Sequence, residues 1–348
     1  MSSTNSKMNQ FFRIAIICGG LSSLFFVPWI LVKAWVLPLP STVQSQLDEA
    51  VEHGFEGIIT YVDIAGQEPQ YLASGWHNRE SKAPAKPQAI FKIASINKLY
   101  AAVAVTMLVN SKALELDRSL VEYLPSLKGR IEYADSITLR MLLQHRSGIP
   151  NFTDAPNFWS APTQSYEDSL ALILDKPANF EPNSDYEYNN TNYLLINKIM
   201  DDALGYDNFL YIQEKILNPL GLEHTYQSLS AVDINKVMSG YHVGYPYDLK
   251  EDDYGMLASA EDVGIFLRAL NDGSVFQAGE AEIYADLYKY EHSGWVPGYQ
   301  SFAKYDKELD AIVVSFYNTT DAKLLNWNLS EIINSRVFKI LRKQQSNY

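Results

Sequence analysis

The order of apolar and polar positions divides the chain into stretches of different character. From Ile14 to Val32, "IAIICGGLSSLFFVPWILV", no charge interrupts 19 residues, a length that matches a helix crossing the hydrocarbon core of a bilayer. After the short linker "VLPLPSTV", "SQLDEAVEHG" predicts a helix. Next, "GIITYVDI" and "QYLASGWH" read as strands joined by the turn "AGQEP". The run "LYAAVAVTMLV", Leu99 to Val109, is apolar on nearly every face, the pattern of a helix buried at the centre of a large domain. Between about residues 120 and 235 the spacing is that of helices and loops, as in "SITLRMLLQH" and "TNYLLINKIMDDALG". Later, "SAEDVGIFLRALNDG" has the acidic first turn and glycine stop of a helix. "YQSFAKYDKELDAIVVSFYN" reads as two strands around a polar turn, and "LLNWNLSEIINSRVFKILRK" as a closing helix. Strands near both ends with helices between them predict an α+β fold: one antiparallel sheet built from both chain ends and flanked by helices, with an all-helical subdomain inserted.

Charge assigns sides. Lys7 and Arg13 precede the apolar run and only Lys33 follows it closely. The positive-inside bias therefore predicts a cytoplasmic tail and membrane anchor over residues 1–38, with residues 39–348 outside the cytoplasm as a single-pass domain of the cytoplasmic membrane, periplasmic or extracellular. The alternative is a cleaved signal peptide, but "VKAWVLPLPS" offers no small-x-small cleavage site. A net charge of −13, with no basic patch, argues against a nucleic-acid partner. The single cysteine, Cys18, falls inside the apolar run, so the remaining domain cannot form an internal disulfide and must rest on its core.

Candidate chemistry begins at "FKIASINKLY", where Ser95 stands three residues ahead of Lys98. A second such pair, Ser301 and Lys304, lies in an alternating strand, where residues three apart face opposite ways and cannot cooperate. Ser95 and Lys98 differ, because a helix starting near Ser95 puts both on one face. Backbone N–H groups at a helix start favour negative charge, which suits the oxyanion of acyl transfer. A lysine carried into an apolar helix start is driven toward its neutral, proton-accepting form. The competing account is a serine N-cap with a lysine whose head reaches solvent.

The wider context resembles the penicillin-recognising serine hydrolases, the group of D,D-carboxypeptidases, serine β-lactamases and related esterases. Three motifs carry the resemblance: Ser-x-x-Lys at Ser95 and Lys98, "YNN" from Tyr188 to Asn190, and "HSG" from His292 to Gly294 in the place of K-T-G. The segments "LLQHRSGIP" and "YGMLASAEDVGIFLRAL" are also similar to recurring stretches of that group. The resemblance implies an acyl-enzyme on Ser95, with Lys98 and Tyr188 as the candidate bases, and sequence leaves open which of them holds the proton. It further implies that Asn190 contacts substrate and Lys98, that the N–H groups of Ser95 and Trp295 form an oxyanion hole, and that Gly294 gives substrate room against an edge strand. No metal or organic cofactor is implied. His292 departs from the permanent cation of K-T-G, since imidazole is mostly neutral at pH 7. The expected activity is D-alanyl-D-alanine carboxypeptidase-like on cell-wall peptides, with an esterase or amidase of small acyl substrates, a β-lactamase, or a penicillin-binding sensor as alternatives. His145 in "LLQHRSG" is a weaker candidate that reads as structural, and "NFWSAP" either brings Phe158 and Trp159 over the cleft or, the favoured account, uses them as packing aromatics.

Overall fold

The computed structural model describes residues 24–346, Gln164 excepted. Helices α1 (Trp29–Val36) and α2 (Val43–Glu52) precede strands β1 (Gly57–Ile64), β2 (Gln70–Asn78) and β3 (Ala83–Pro84). Helix α3 (Asn97–Asn110) follows, then helices and turns that include α4 (Asn190–Leu204), and then α5 (Ala260–Asp272). Strands β4 (His292–Val296), β5 (Tyr299–Asp306) and β6 (Ala311–Tyr317) and helix α6 (Leu325–Gln345) complete the order. One sheet runs β3-β2-β1-β6-β5-β4, antiparallel at each pairing. Its two central strands come from opposite ends of the chain, with Ile59 opposite Phe316 and Val62 opposite Val313.

Both faces of this sheet are covered, which is why β1 and β6 read as nearly unbroken apolar runs. Ile58, Val62, Val313 and Tyr317 pack under α2 and α6 with Leu47, Ile333 and Val337. Ile59, Tyr61, Val314 and Phe316, one residue out of step, pack on the other side with α3 and α5. Helix α3 lies in the middle of that second layer, buried from Lys98 to Leu108. Tyr100 stacks on Phe266 of α5 with ring centroids 3.7 Å apart.

The apolar run at the N-terminus is not one helix in its described part. Residues 14–23 lie outside the described residues. Leu24–Phe26 forms a short 3-10 turn, and α1 begins after Pro28, whose ring removes the N–H that a continuous helix would need at that point. Among the described residues no helix is long and apolar enough to cross a membrane. Helix α1 instead packs Ile30, Leu31 and Ala34 into the α2–α6 layer. Buried Arg336 secures the stretch after it, donating to the carbonyls of Leu37 (2.7 Å) and Pro38 (2.9 Å) and to Gln46 (2.6 Å).

Candidate active site

The stretch ahead of α3 is not an extended strand. After the two-residue strand Phe91–Lys92, Ile93 is helical and Ala94 adopts φ 48°, a left-handed conformation that a residue with a Cβ enters only at a cost. The chain therefore turns sharply into the 3-10 segment Ala94–Ile96 and then into α3. Ser95 is carried at the top of that turn.

Neighbours fix the turn tightly. The Ile93 N–H donates to the Met256 carbonyl at 3.1 Å, and Ser301 Oγ donates to the Ile93 carbonyl at 2.8 Å. Ser301, half of the decoy pair, is thus part of the scaffold, while its sequence partner Lys304 pairs with Glu291 at 2.9 Å. A Cβ on Gly294 would lie 2.5 Å from the Ile93 carbonyl oxygen and 2.8 Å from the Ser95 nitrogen. This glycine lets β4 pass directly over the serine turn, a packing requirement beyond the room for substrate that the resemblance implies. Val296 and Tyr299 face each other across the turn at Pro297 and Gly298, and antiparallel alternation then directs the N–H of Trp295 to the open edge of the sheet, the edge beside Ser95.

The other polar groups converge on Ser95 Oγ. Lys98 Nζ lies 3.0 Å away, and the Tyr188 hydroxyl donates to Oγ at 2.8 Å. Lys98 also donates to Asn190 Oδ1 at 2.9 Å, while Asn190 Nδ2 donates to Thr153 at 3.0 Å and the Asn190 N–H to Asn151 Oδ1 at 3.1 Å. Asn190 is therefore oriented: its carbonyl oxygen is turned to the lysine and its amide to Thr153. Asn151 and Thr153, in the segment just after "RSGIP", were not singled out from sequence, since nothing in the local spacing marks them.

Burial sets the proton positions. It pulls the Lys98 ammonium down to about 7, so a large fraction is the neutral amine at physiological pH. It pushes the Tyr188 phenol up to about 12, against a smaller opposing effect of its hydrogen bond with Ser95. Both shifts disfavour charge, so the pair is held as amine and phenol rather than ammonium and phenolate. The amine is the group able to accept the Ser95 proton, and the phenol the one able to give a proton up.

His292 occupies the third motif but carries no charge. Its Nδ1 lies 2.6 Å from the Ser293 carbonyl, which only accepts, so Nδ1 bears the hydrogen and Nε2 accepts from the Tyr288 hydroxyl at 2.9 Å. Burial, with Lys289 and Lys98 nearby, keeps its pKa well below the ordinary histidine value. A second lysine, Lys289, also lines the cleft without an ion-pair partner among the described residues, and burial lowers its pKa from the ordinary lysine value. Sequence reading passed over it because it belongs to no motif.

Above Ser95 the cleft encloses about 800 Å3. Phe158 and Trp159 do line it, beside Phe209, Tyr254 and Trp295, and Trp159 meets Trp295 edge-on at 5.4 Å. Of the two accounts of this pair, the position over the cleft is the one found, together with their aromatic packing on one another and on Trp295. No group of His, Cys, Asp and Glu able to hold a metal ion occurs among the described residues.

A Ser-x-x-Lys helix start with Tyr-x-Asn beside it and an edge strand across it is the arrangement that the three motifs require, and the family model for beta-lactamase matches residues 43–325. The chain belongs to the beta-lactamase family. By family it is a serine hydrolase. A penicillin-binding protein of Bacillus subtilis (strain 168) is 22% identical over 277 residues, 78% of this chain and 59% of that protein. Protein flp of Staphylococcus aureus (strain COL) is 24% identical over 193 residues, 54% of this chain and 39% of that protein, so the chain spans little more than half of these relatives at most. Among solved structures, D-amino acid amidase from Ochrobactrum anthropi SV3 complexed with D-phenylalanine matches with a TM-score of 0.77 at 22% identity, covering 87% of this chain and 98% of that one. A penicillin binding protein from Bacillus halodurans matches with a TM-score of 0.71 at 19% identity, covering 84% and 98%. At these identities the structural likeness speaks for the fold.

Proposed function

We propose that this member of the beta-lactamase family hydrolyses the amide or peptide bond on the carboxyl side of a D-amino-acid residue, in the manner of a D-alanyl-D-alanine carboxypeptidase, through an acyl-enzyme on Ser95. The observation that carries the reading is the pair of contacts on Ser95 Oγ, Lys98 at 3.0 Å and Tyr188 at 2.8 Å, on the floor of an open cleft. Neutral Lys98 takes the Ser95 proton as Oγ bonds to the substrate carbonyl carbon. The N–H groups of Ser95 and Trp295 receive the developing oxyanion. When the C–N bond breaks, Tyr188 gives its proton to the leaving nitrogen and recovers the one held on Lys98. Water then attacks the acyl-enzyme with Lys98 as base, and its proton returns to Ser95 as the ester bond breaks. Asn190 holds Lys98 and receives the substrate amide.

Lys289 supports a substrate with a carboxylate, supplying the positive charge that His292 does not. A second reading, an amidase of uncharged D-aminoacyl amides, is favoured by the neutral state of His292 itself. The apolar run of residues 14–32 and the exposed Phe25, Phe26, Trp35 and Val36 support a place at the cytoplasmic membrane with the cleft outside the cytoplasm.

The test is the intact mass of the protein after incubation with benzylpenicillin, run beside hydrolysis of an N-acyl-D-alanyl-D-alanine and of D-phenylalanine amide, with Ser95→Ala as control. An adduct and turnover that both vanish in the control support the reading. Hydrolysis that survives Ser95→Ala refutes it. Turnover of the amide without the peptide selects the second reading, and a persistent adduct with no turnover of either compound indicates a penicillin-binding sensor.

A further inference from the structure

His145 meets Tyr188 from three directions at once. Its carbonyl accepts the N–H of Glu187 at 3.0 Å, its Nδ1 accepts the N–H of Asn189 at 3.2 Å, and its ring lies 4.6 Å from the Tyr188 ring. The backbone on either side of Tyr188 is therefore tied to one residue. We infer that His145 is a positioning residue for acyl transfer, holding the phenol of Tyr188 on Ser95 by clamping the chain before and after it. The inference rests on the proposed role of Tyr188 as proton donor.

The clamp depends on an unusual conformation. His145 has φ 58°, the left-handed region that a side chain rarely enters, and it is buried in that state. With Nδ1 as the acceptor, the ring hydrogen is on Nε2, which is buried and without a hydrogen-bond partner. A residue chosen only to fill this space would avoid both the strain and the unpaired N–H. The ring must also stay neutral for Nδ1 to accept, and burial, aided by Lys98 and Lys289, holds its pKa down at about 3. Asn192 reinforces the acceptor, its Nδ2 lying 3.4 Å from Nδ1 while Ser147 donates to its Oδ1 at 2.6 Å. Beyond Asn189 the helix α4 begins, capped by the Asn189 side chain on the Thr191 N–H at 2.7 Å. Between that helix and the exposed turn at residues 183–186, the clamp decides where the phenol points.

The experiment compares His145→Leu, His145→Gln and His145→Asn in full-length protein, each alone and with Tyr188→Phe. Asparagine tolerates the left-handed backbone and puts an oxygen close to where Nδ1 stood, whereas leucine has no acceptor and glutamine places its polar atoms further out. Single-turnover acylation is followed with a D-aminoacyl p-nitroanilide, whose leaving nitrogen needs a proton, and with the p-nitrophenyl ester, whose leaving group does not. We expect His145→Leu and His145→Gln to slow the anilide roughly 10- to 100-fold, to slow the ester less, and to leave KM within about twofold. His145→Asn should recover most of the loss, and in the Tyr188→Phe background none of the three should slow the reaction further. Should His145→Leu not fold, the Gln and Asn pair carries the same contrast. Equal losses with and without the Tyr188 hydroxyl, or an anilide rate unchanged in both Leu and Gln variants, would overturn the clamp while leaving Tyr188 in its role. A Tyr188→Phe protein as fast as the parent would remove both.

Discussion

Raising the pH from about 6 to about 8 should speed acylation of Ser95 roughly tenfold, and further alkali should add little. The magnitude follows from Lys98, which burial among apolar residues of α3 pulls down to about 7. One unit below that value roughly a tenth of the lysine is neutral, and one unit above it roughly nine-tenths. A lysine keeping its free value of about 10.4 would instead give a rise of roughly a hundredfold over the same interval, with no levelling below about pH 10. Burial lowers Lys289 at the cleft as well, so the profile is repeated in Lys289→Met, which should keep the inflection. His145 and His292 are held below the ordinary histidine range, and Tyr188 is pushed up to about 12. The assay is the burst of p-nitrophenol from a p-nitrophenyl ester at substrate concentrations well below KM, so that the profile reports the free enzyme. Tyr188→Phe should keep the inflection near 7 but lower the plateau, and lower it further for an anilide, by roughly 10²–10⁴-fold. A log-linear rise that continues through about pH 9, or an inflection that disappears with the Tyr188 hydroxyl, would refute the assignment of Lys98 as the base.

Gly294→Ala should destabilise the fold by about 1–3 kcal/mol in urea unfolding and slow acylation, because the new methyl meets the Ile93 carbonyl at 2.5 Å and the Ser95 nitrogen at 2.8 Å. An active, equally stable variant would show that β4 can move away from the serine turn. Lys289→Met should raise KM for N-acyl-D-alanyl-D-alanine roughly tenfold and leave KM for the corresponding neutral amide unchanged; equal effects on both would deny it a role toward the carboxylate. Stability should fall in mild acid. Burial holds His53, His77, His145, His242 and His292 below their ordinary pKa. Below about pH 6.5 the unfolded chain therefore binds protons that the folded one refuses. That contribution is intact above about 6.5 and is lost as pH drops through it, so the urea midpoint should be lower at about pH 5 than at about pH 7. An unchanged midpoint would contradict it.

What the sequence disclosed is what local rules encode. The α3 run from Leu99 to Val109 and the strand "AIVVSFY" gave their elements because an element covered on all sides reads as an unbroken apolar run, and Ser95 with Lys98 stood out because one helical turn separates them. Tyr188 and Asn190 were legible through resemblance, since the contacts of 2.8 and 2.9 Å that bring them to Ser95 and Lys98 span more than 90 residues. The packing of Gly294 on the serine turn left no local signal because the strand crossing Ile93 is a tertiary fact, and counting apolar residues through Pro28 overstated the helix there. Lys289 left no signal, and His145, within "LLQHRSG", read only as structural. The first acts by standing unpaired in a cleft, and the second through hydrogen bonds to residues about forty positions away.

The central pair of strands has a consequence for how the molecule is made. Strand β1 acquires its neighbour β6 only after residue 317 has been synthesised, and β4, the strand beside Ser95, is tied to the sheet only through β5 and β6. A growing chain cannot close the cleft before that residue has been made, and until then one edge of an apolar strand stays unpaired. Contact order of this kind slows folding and prolongs the exposure of that edge. It also keeps Ser95 without the strand beside it until residue 317 has emerged, so a chain that stops short of that point carries the serine but not the cleft.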